Sequence, residues 1–302
     1  MKKIVIILAL FAAATTSVCS VYGQKSDSLF TRLQGITNRG VQFFDVDGIT
    51  ITSQKLGVEF SARNCALWFF DLKIKEKELN TSDSLLRFRN FYVFKSEEEP
   101  QNIFQNTSYY FVESPDNKLI SFLFISINKN DREFQRNFIE LVCNDLIPEN
   151  IYHSSATDSV NFAGRKIQLS KSCRWMGVNN IQDPNHGQIN WSIHKDLEDA
   201  LSTTENYYAI TKSKEGTELV SDDFVNVIFE GVETQARKVV YDVTGATGRL
   251  ISMSGSTKLI IYYVSVPLRG NFVSCVMSFW ESDPIQPSGL PRLLEQVMRL
   301  KQ

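Results

Sequence analysis

Along most of the chain apolar and polar positions alternate with a period near two, the pattern of half-buried strands. Residues 41–46 and 49–52 flank Asp47-Gly48, which predicts a two-residue hairpin. Residues 56–62 and 66–74 continue the strand pattern, the second rich in aromatics, and residues 88–94 alternate more weakly. Residues 108–113 and 118–127 flank Pro115-Asp116-Asn117, a turn signal. The period then lengthens: Phe134, Phe138, Ile139, Leu141, Val142 and Leu146 fall on one helical face, with Asn130 or Asp131 as cap and Pro148 as stop.

The second half repeats this grammar. Residues 160–169 form a strand pair about Gly164, residues 196–201 a short helix, and residues 224–229 and 236–243 two strands. Residues 245–248 form a loop, and residues 259–268 and 272–280 form a hairpin around Arg269-Gly270-Asn271. Leu290, Leu293, Leu294, Val297 and Met298 predict a terminal amphipathic helix. Each half thus ends in a long hairpin and a helix, and Lys118-Leu119-Ile120-Ser121-Phe122 echoes Lys258-Leu259-Ile260-Ile261-Tyr262. The expected fold class is α+β: two lobes, each a mainly antiparallel sheet backed by helices, arranged as a tandem structural repeat. The lobes are assigned to residues 24–150 and 151–302.

The first 23 residues read as a secretory signal peptide: Lys2 and Lys3, an uncharged apolar run over 4–14, then Val21-Tyr22-Gly23 before Gln24. The run is too short to span a bilayer. The expected location is periplasmic or secreted. The alternative is a lipid anchor on Cys19, although Val18 and Thr16 fit a lipoprotein site poorly. No later segment predicts a transmembrane span.

With 43% hydrophobic and 22% charged residues in 302, the chain can bury a core and falls outside the disordered class. Its formal charge of -2 gives no basic excess, so no nucleic-acid partner is expected. The mature cysteines are Cys65, Cys143, Cys173 and Cys275, an even number for an oxidising compartment. If the lobes are independent, Cys65–Cys143 and Cys173–Cys275 keep each disulfide within one lobe. Four buried thiols is the other reading.

Candidate chemistry is thin. The three histidines, His153, His186 and His194, form no metal-ligand motif, although His186 and His194 lie eight apart with Asp183 and Asp196 nearby. Asp45-x-Asp47-Gly48 alternates carboxylates but lacks the rest of a calcium loop. There is no Gly-x-Ser-x-Gly, phosphate loop or distinguishable carboxylate pair. No catalytic residue, cofactor or metal is therefore assigned. The acidic run Glu97-Glu98-Glu99 reads as a solvated loop. Three Asp-Ser-apolar triplets, at Asp27, Asp83 and Asp158, resemble a bacterial O-glycosylation sequon.

Aromatics come in adjacent sets, including Trp68-Phe69-Phe70, Tyr109-Tyr110-Phe111, Tyr207-Tyr208 and Tyr262-Tyr263. Neighbours on a strand face opposite sides, so layers on both faces would bury them. The sharper reading makes Trp68, Tyr109, Tyr207 and Tyr262 contact aromatics for a glycan or a protein.

The order of elements over about residues 160–300, with Trp175 or Trp191, a short helix, Lys238-Val239-Val240-Tyr241, the strands at 259–266 and 272–279 and a terminal helix, resembles the PsbP/Mog1/DcrB-like fold. That resemblance implies an antiparallel sheet between helices, often in exported or lipid-anchored proteins, and no shared catalytic set. The expectation is an exported, non-enzymatic envelope protein acting by binding, as an accessory or assembly factor. The alternatives are a glycan- or peptidoglycan-directed hydrolase and a carrier of an apolar small ligand.

Overall fold

The computed structural model describes residues 29–99, 102–153, 158–245, 248 and 255–301. The signal-peptide segment, Cys19 and the Asp27 triplet lie outside the described residues, as does part of the 245–248 loop.

The first lobe opens with β1 (Gln34–Asn38), β2 (Val41–Val46) and β3 (Ile49–Glu59). Helix α1 (Ala62–Trp68) and two 3-10 turns then lead to β4 (Asn90–Glu99), β5 (Ile103–Glu113) and β6 (Lys118–Ile127). Helix α2 (Arg132–Cys143) and the short β7 (Tyr152–His153) complete it. Its seven strands run β4-β5-β6-β3-β2-β1-β7, antiparallel except for the β1–β7 pair. The sheet of this lobe therefore runs on to His153.

The second lobe begins with β8 (Ser159–Phe162) and β9 (Arg165–Gln168), a separate hairpin. It continues with β10 (Arg174–Gly177), β11 (Asn180–Asp183), β12 (Gly187–His194) and α3 (Leu197–Lys212). Then come β13 (Thr217–Phe229), β14 (Val232–Val243), β15 (Lys258–Leu268), β16 (Asn271–Trp280) and β17 (Met298–Leu300). These eight strands run β10-β11-β12-β16-β15-β14-β13-β17, and every pair is antiparallel. The protein is thus α+β with two sheet-based lobes, as the alternation predicts.

Both faces of each sheet are covered, and this accounts for the adjacent aromatics. Tyr110 lies with Phe122, Phe124 and the α2 residues Phe138 and Ile139, while its neighbour Phe111 packs on the other face with Phe60, Cys65 and Leu119. Tyr263 packs beneath α3 with Tyr208 and Tyr241, and Tyr262 belongs to the opposite core with Trp191 and Phe279. Two Asp/Arg-Gly turns behave as the sequence predicts. Asp47 (φ 52°) and Gly48 (φ 75°) connect β2 to β3, and Arg269 (φ 50°) and Gly270 (φ 82°) connect β15 to β16. The expected cap of α2 is Asp131, whose side chain accepts the Phe134 N–H at 2.9 Å.

Several segments differ from expectation. The acidic run Glu97-Glu98-Glu99, expected as a solvated loop, is the end of β4 and pairs with β5. The strand expected at 66–74 is α1 and a 3-10 turn at Phe70–Leu72. Ser61 caps the helix by accepting the Asn64 N–H, and Ala62, Ala66 and Leu67 favour helix once a partner for only one face is present. The helix expected at 196–201 runs to Lys212, because Ala200, Thr204 and Tyr208 continue the buried stripe. The expected terminal helix is instead a 3-10 turn at Leu294–Gln296 followed by β17. Leu290, Leu293, Leu294, Val297 and Met298 are all buried in the large core beneath the second sheet. Arg292, Gln296 and Arg299 keep a solvent side, and the segment closes as a strand because β17 gains a ladder with the end of β13. The second lobe therefore lacks the helix that follows the last long hairpin of the first lobe.

Candidate functional site at the lobe junction

The β2–β3 turn of the first lobe seats on β12 of the second. The Asp47 N–H donates to the Ile193 carbonyl at 3.0 Å, and the Gly48 N–H donates to Ser192 Oγ at 3.0 Å. In return the Lys195 N–H donates to Asp47 Oδ1 at 2.9 Å. The tight turn makes this possible. It projects two backbone donors past the strand ends with no bulky side chain at Gly48.

The two turn carboxylates have different surroundings. Asp47 is gripped by Arg32, whose Nε and Nη2 reach Oδ1 and Oδ2 at 2.9 and 3.0 Å, a two-point ion pair. Asp45, two residues back, is bonded by neutral groups of the other lobe: Ser192 Oγ at 2.6 Å and Asn179 Nδ2 at 3.1 Å, both on Oδ1. Although Asp45 is only half-buried as a residue, desolvation pushes its carboxyl up to about 7, against the lowering effect of Ser192 and Asn179 and with a further push from Asp47. Tyr207 of α3 points its hydroxyl end at Asn190 and Asp45 and is raised above its ordinary value, first by desolvation and then by the Asp45 charge.

His194 ends β12 with no exposed surface. Its Nε2 meets Ser274 Oγ at 2.9 Å, and its Nδ1 has no hydrogen-bond partner among the described residues. Burial lowers its imidazole to about 4. Beside it, Asp47, Gly48, Ile127, Lys129, Thr203 and Tyr207 border a cleft of about 30 Å³, room for about one water molecule. Lys129 closes one side by pairing with Asp199 across the lobes.

The other sequence candidates do not converge. His186 and His194 flank the two ends of β12, about 25 Å apart at strand rise. The Asp183 carboxylate accepts from Ser170 and Ser172, and Asp196 caps α3. Asp45 and Asp47 are turned to Ser192 and Arg32 respectively, and no group of three or more His, Cys, Asp or Glu with metal-holding geometry occurs among the described residues. Of the contact aromatics, Tyr262 is core at 2% exposure, a correction that follows from the layer on its face. Tyr109 is half-buried beneath the 60–79 segment, Tyr207 lines the junction, and Trp68 is 52% exposed. Cys65, Cys143, Cys173 and Cys275 are all in the thiol form. Cys65 lies under α1, Cys143 ends α2, and Cys173 and Cys275 share the second lobe's large core.

Asp83, which the sequence marks only as the first residue of a glycosylation-like triplet, is a buried ion-pair centre. Its side chain accepts from the Leu85 N–H, Tyr110 Oη, Arg132 and Arg136, the last three across the sheet end. Burial raises this carboxyl, but those bonds outweigh it and hold it below the usual carboxylate range. Its neighbour Ser84, the acceptor of the second triplet, is exposed.

No family model and no curated protein matches the chain. Two solved structures give distant likenesses. The di-domain ARO/CYC StfQ from the steffimycin biosynthetic pathway is 12% identical, covers 88% of this chain and 77% of its own, and gives a TM-score of 0.16. DynU16, a protein of the dynemicin biosynthetic locus, is 8% identical, with 86% and 78% coverage and a TM-score of 0.18. Likenesses this low carry nothing for the fold or function of this chain.

Proposed function

We propose that the protein is exported to the cell envelope and acts there by binding a protein partner, with the outer face of α1 as the contact. The leader-like first 23 residues support export. None of the helices among the described residues is long and apolar enough to cross a membrane. The observation that carries the binding reading is the exposure of Leu67 (66%), Trp68 (52%) and Phe70 (76%) within four residues of chain. The opposite side of the same segment is anchored by Cys65, Ala66, Phe69 and Leu72, so the outward rings are fixed in place. Large aromatic side chains on a fixed support are the residues that dominate protein–protein binding energy.

A photo-crosslinking residue at Phe70, compared with one at exposed Lys166 on the other lobe, tests this in envelope fractions. A discrete adduct at 70 that excess unlabelled protein displaces, with none at 166, supports the reading. Equal labelling at both positions, or none at 70, overturns it.

A further inference from the structure

Between the second 3-10 turn and β4 the chain forms a pinned loop, and residues 80–91 line an open cleft of about 490 Å³. That is the size of a small-ligand site, roughly 300–1,000 Å³, and far more than one bound ion fills. The loop is held from beneath by two nearly fully buried polar residues, Asp83 and Asn90. Asn90 Oδ1 accepts the Asp83 N–H at 2.8 Å, and its Nδ2 donates to the Asp83 and Phe88 carbonyls at 3.0 and 2.9 Å. The Asp83 carboxylate lines the cleft too, but its charge is matched by Arg132 and Arg136. Compact loops fixed by their own side chains are frequent carriers of function.

The rim carries charge that the fold leaves underused. Arg87 and Arg89 line the cleft with side chains 78% and 70% exposed. Each meets one carboxylate, Glu140 and Glu113 respectively, at 3.5 Å, longer than the roughly 2.7–2.9 Å of a charge-assisted hydrogen bond. Exposed pairs of this kind are weak, so an incoming anion can compete for both guanidinium groups. Arg89 is also placed: its guanidinium lies over the Phe60 ring at 5.2 Å, and Phe60 stacks on Phe91 at the cleft. The remaining rim is neutral. Asn80, Thr81, Ser82 and Ser84 are exposed and supply amides and hydroxyls that both donate and accept.

We propose that this cleft binds an acidic oligosaccharide, with Arg87 and Arg89 holding uronic-acid carboxylates and the amides and hydroxyls of residues 80–84 holding sugar hydroxyls. It uses none of the residues of the α1 contact, so the two readings stand or fall separately.

Each feature selects for this class. A guanidinium fork matches a carboxylate at two points, and two forks on one cleft call for a ligand with repeated carboxylates. Neutral groups that donate and accept suit a ligand covered in hydroxyls. An acidic peptide fits less well, because an extended peptide is gripped by adding to a free strand edge. The β4 edge at the cleft is already taken, since the Tyr92 N–H donates to the Thr81 carbonyl at 2.9 Å. A lone phosphate would engage the arginines but leave most of the cleft empty.

The test follows the Arg87 and Arg89 Nε–H signals and the amides of residues 80–91 by NMR in the full chain. Tetramers of galacturonic, mannuronic and guluronic acid are added at millimolar concentration. At least one should give saturable shifts at these positions, and Arg87→Gln with Arg89→Gln should weaken its binding by about tenfold or more. The methyl ester of the same tetramer keeps the sugar but removes the charge, and should lose about as much. Tetraglutamate and inorganic phosphate should bind at least about tenfold more weakly than the tetramer. Both arginines are exposed, so the double variant should keep the wild-type spectrum elsewhere. No saturable shift with any of the three tetramers, equal binding by the ester, tetraglutamate or phosphate, or undiminished binding by the double variant overturns the proposal. Should the variant fail to fold, the wild-type comparison of acid with ester decides.

Discussion

Ser192 joins the lobes in both directions, since its Oγ donates to Asp45 Oδ1 at 2.6 Å and accepts the Gly48 N–H at 3.0 Å. Ser192→Ala removes both bonds and leaves a backbone donor and a carboxyl short of partners. The expected loss is about 1–3 kcal/mol by urea unfolding. The loss should be larger at pH 8 than at pH 5, because the hydroxyl matters most to the charged form of Asp45, whose carboxyl titrates near 7. An equal loss at both values would show that Asp45 does not titrate in this range.

Asp83 is nearly fully buried and gathers Tyr110, Arg132 and Arg136 at the end of the first sheet. Asp83→Asn should destabilise the first lobe by about 2–3 kcal/mol at pH 7, below the usual cost of breaking a buried pair because Arg132 is partly exposed. The carboxyl is held low in the folded state, so its stabilisation is present above the ordinary carboxylate value and lost as pH falls through the folded one. The gap between variant and wild type should therefore begin to narrow as pH falls below about 4. Unfolding curves at pH 3.5 and 7 check both statements.

Phe138 of α2 has no exposed surface and meets Phe44 edge-on at 5.1 Å and Phe124 at 6.1 Å. Phe138→Ala should cost about 3–5 kcal/mol through lost burial and the cavity it leaves. Ile139 keeps the helix seated on the same core, so far-ultraviolet dichroism at low denaturant should retain the native spectrum while the unfolding midpoint falls.

Burial pushes the Cys65 and Cys143 thiols up to about 12 and that of Cys275 well above its ordinary value. Thiolate is the reactive form, so alkylation of these three in the native protein at pH 8 should be far slower than after denaturation. Intact mass with iodoacetamide, before and after denaturation without reductant, reads this. A Cys65–Cys143 or Cys173–Cys275 disulfide would leave the denatured protein unlabelled at those positions.

Leu67 and Phe70 project outward, so Leu67→Ser with Phe70→Ser should change stability by no more than about 0.5 kcal/mol per site. The same pair should reduce binding of an environment-sensitive hydrophobic dye to the native protein. A large drop in thermal midpoint would mean that these side chains serve the core.

Local rules determined much of this protein from the sequence. Alternation placed most of the long strands but not β1, β10, β11 or the junction strand β12; Asp47-Gly48 and Arg269-Gly270 placed their turns, and Asp131 with the Phe134/Phe138 stripe placed α2, because hydrogen-bond caps, positive φ and side-chain period act over a few residues. Only the tertiary structure decided the rest. Residues 66–74 have strand composition but form the end of α1 and a 3-10 turn, since the partner for Cys65 and Phe69 is a sheet face supplied by residues 91, 111 and 119. The stripe at 290–298 reads as a helix but forms a 3-10 turn and a strand, because the end of β13 offers it a ladder that periodicity cannot show. The junction was half legible: Asp45 and Asp47 stand out in the sequence as alternating carboxylates, but their different fates depend on Arg32, Asn179 and Ser192. Asn179 and Ser192 lie 134 and 147 residues from Asp45 in the chain, and the desolvation that pushes the Asp45 carboxyl up exists only once those distant segments meet.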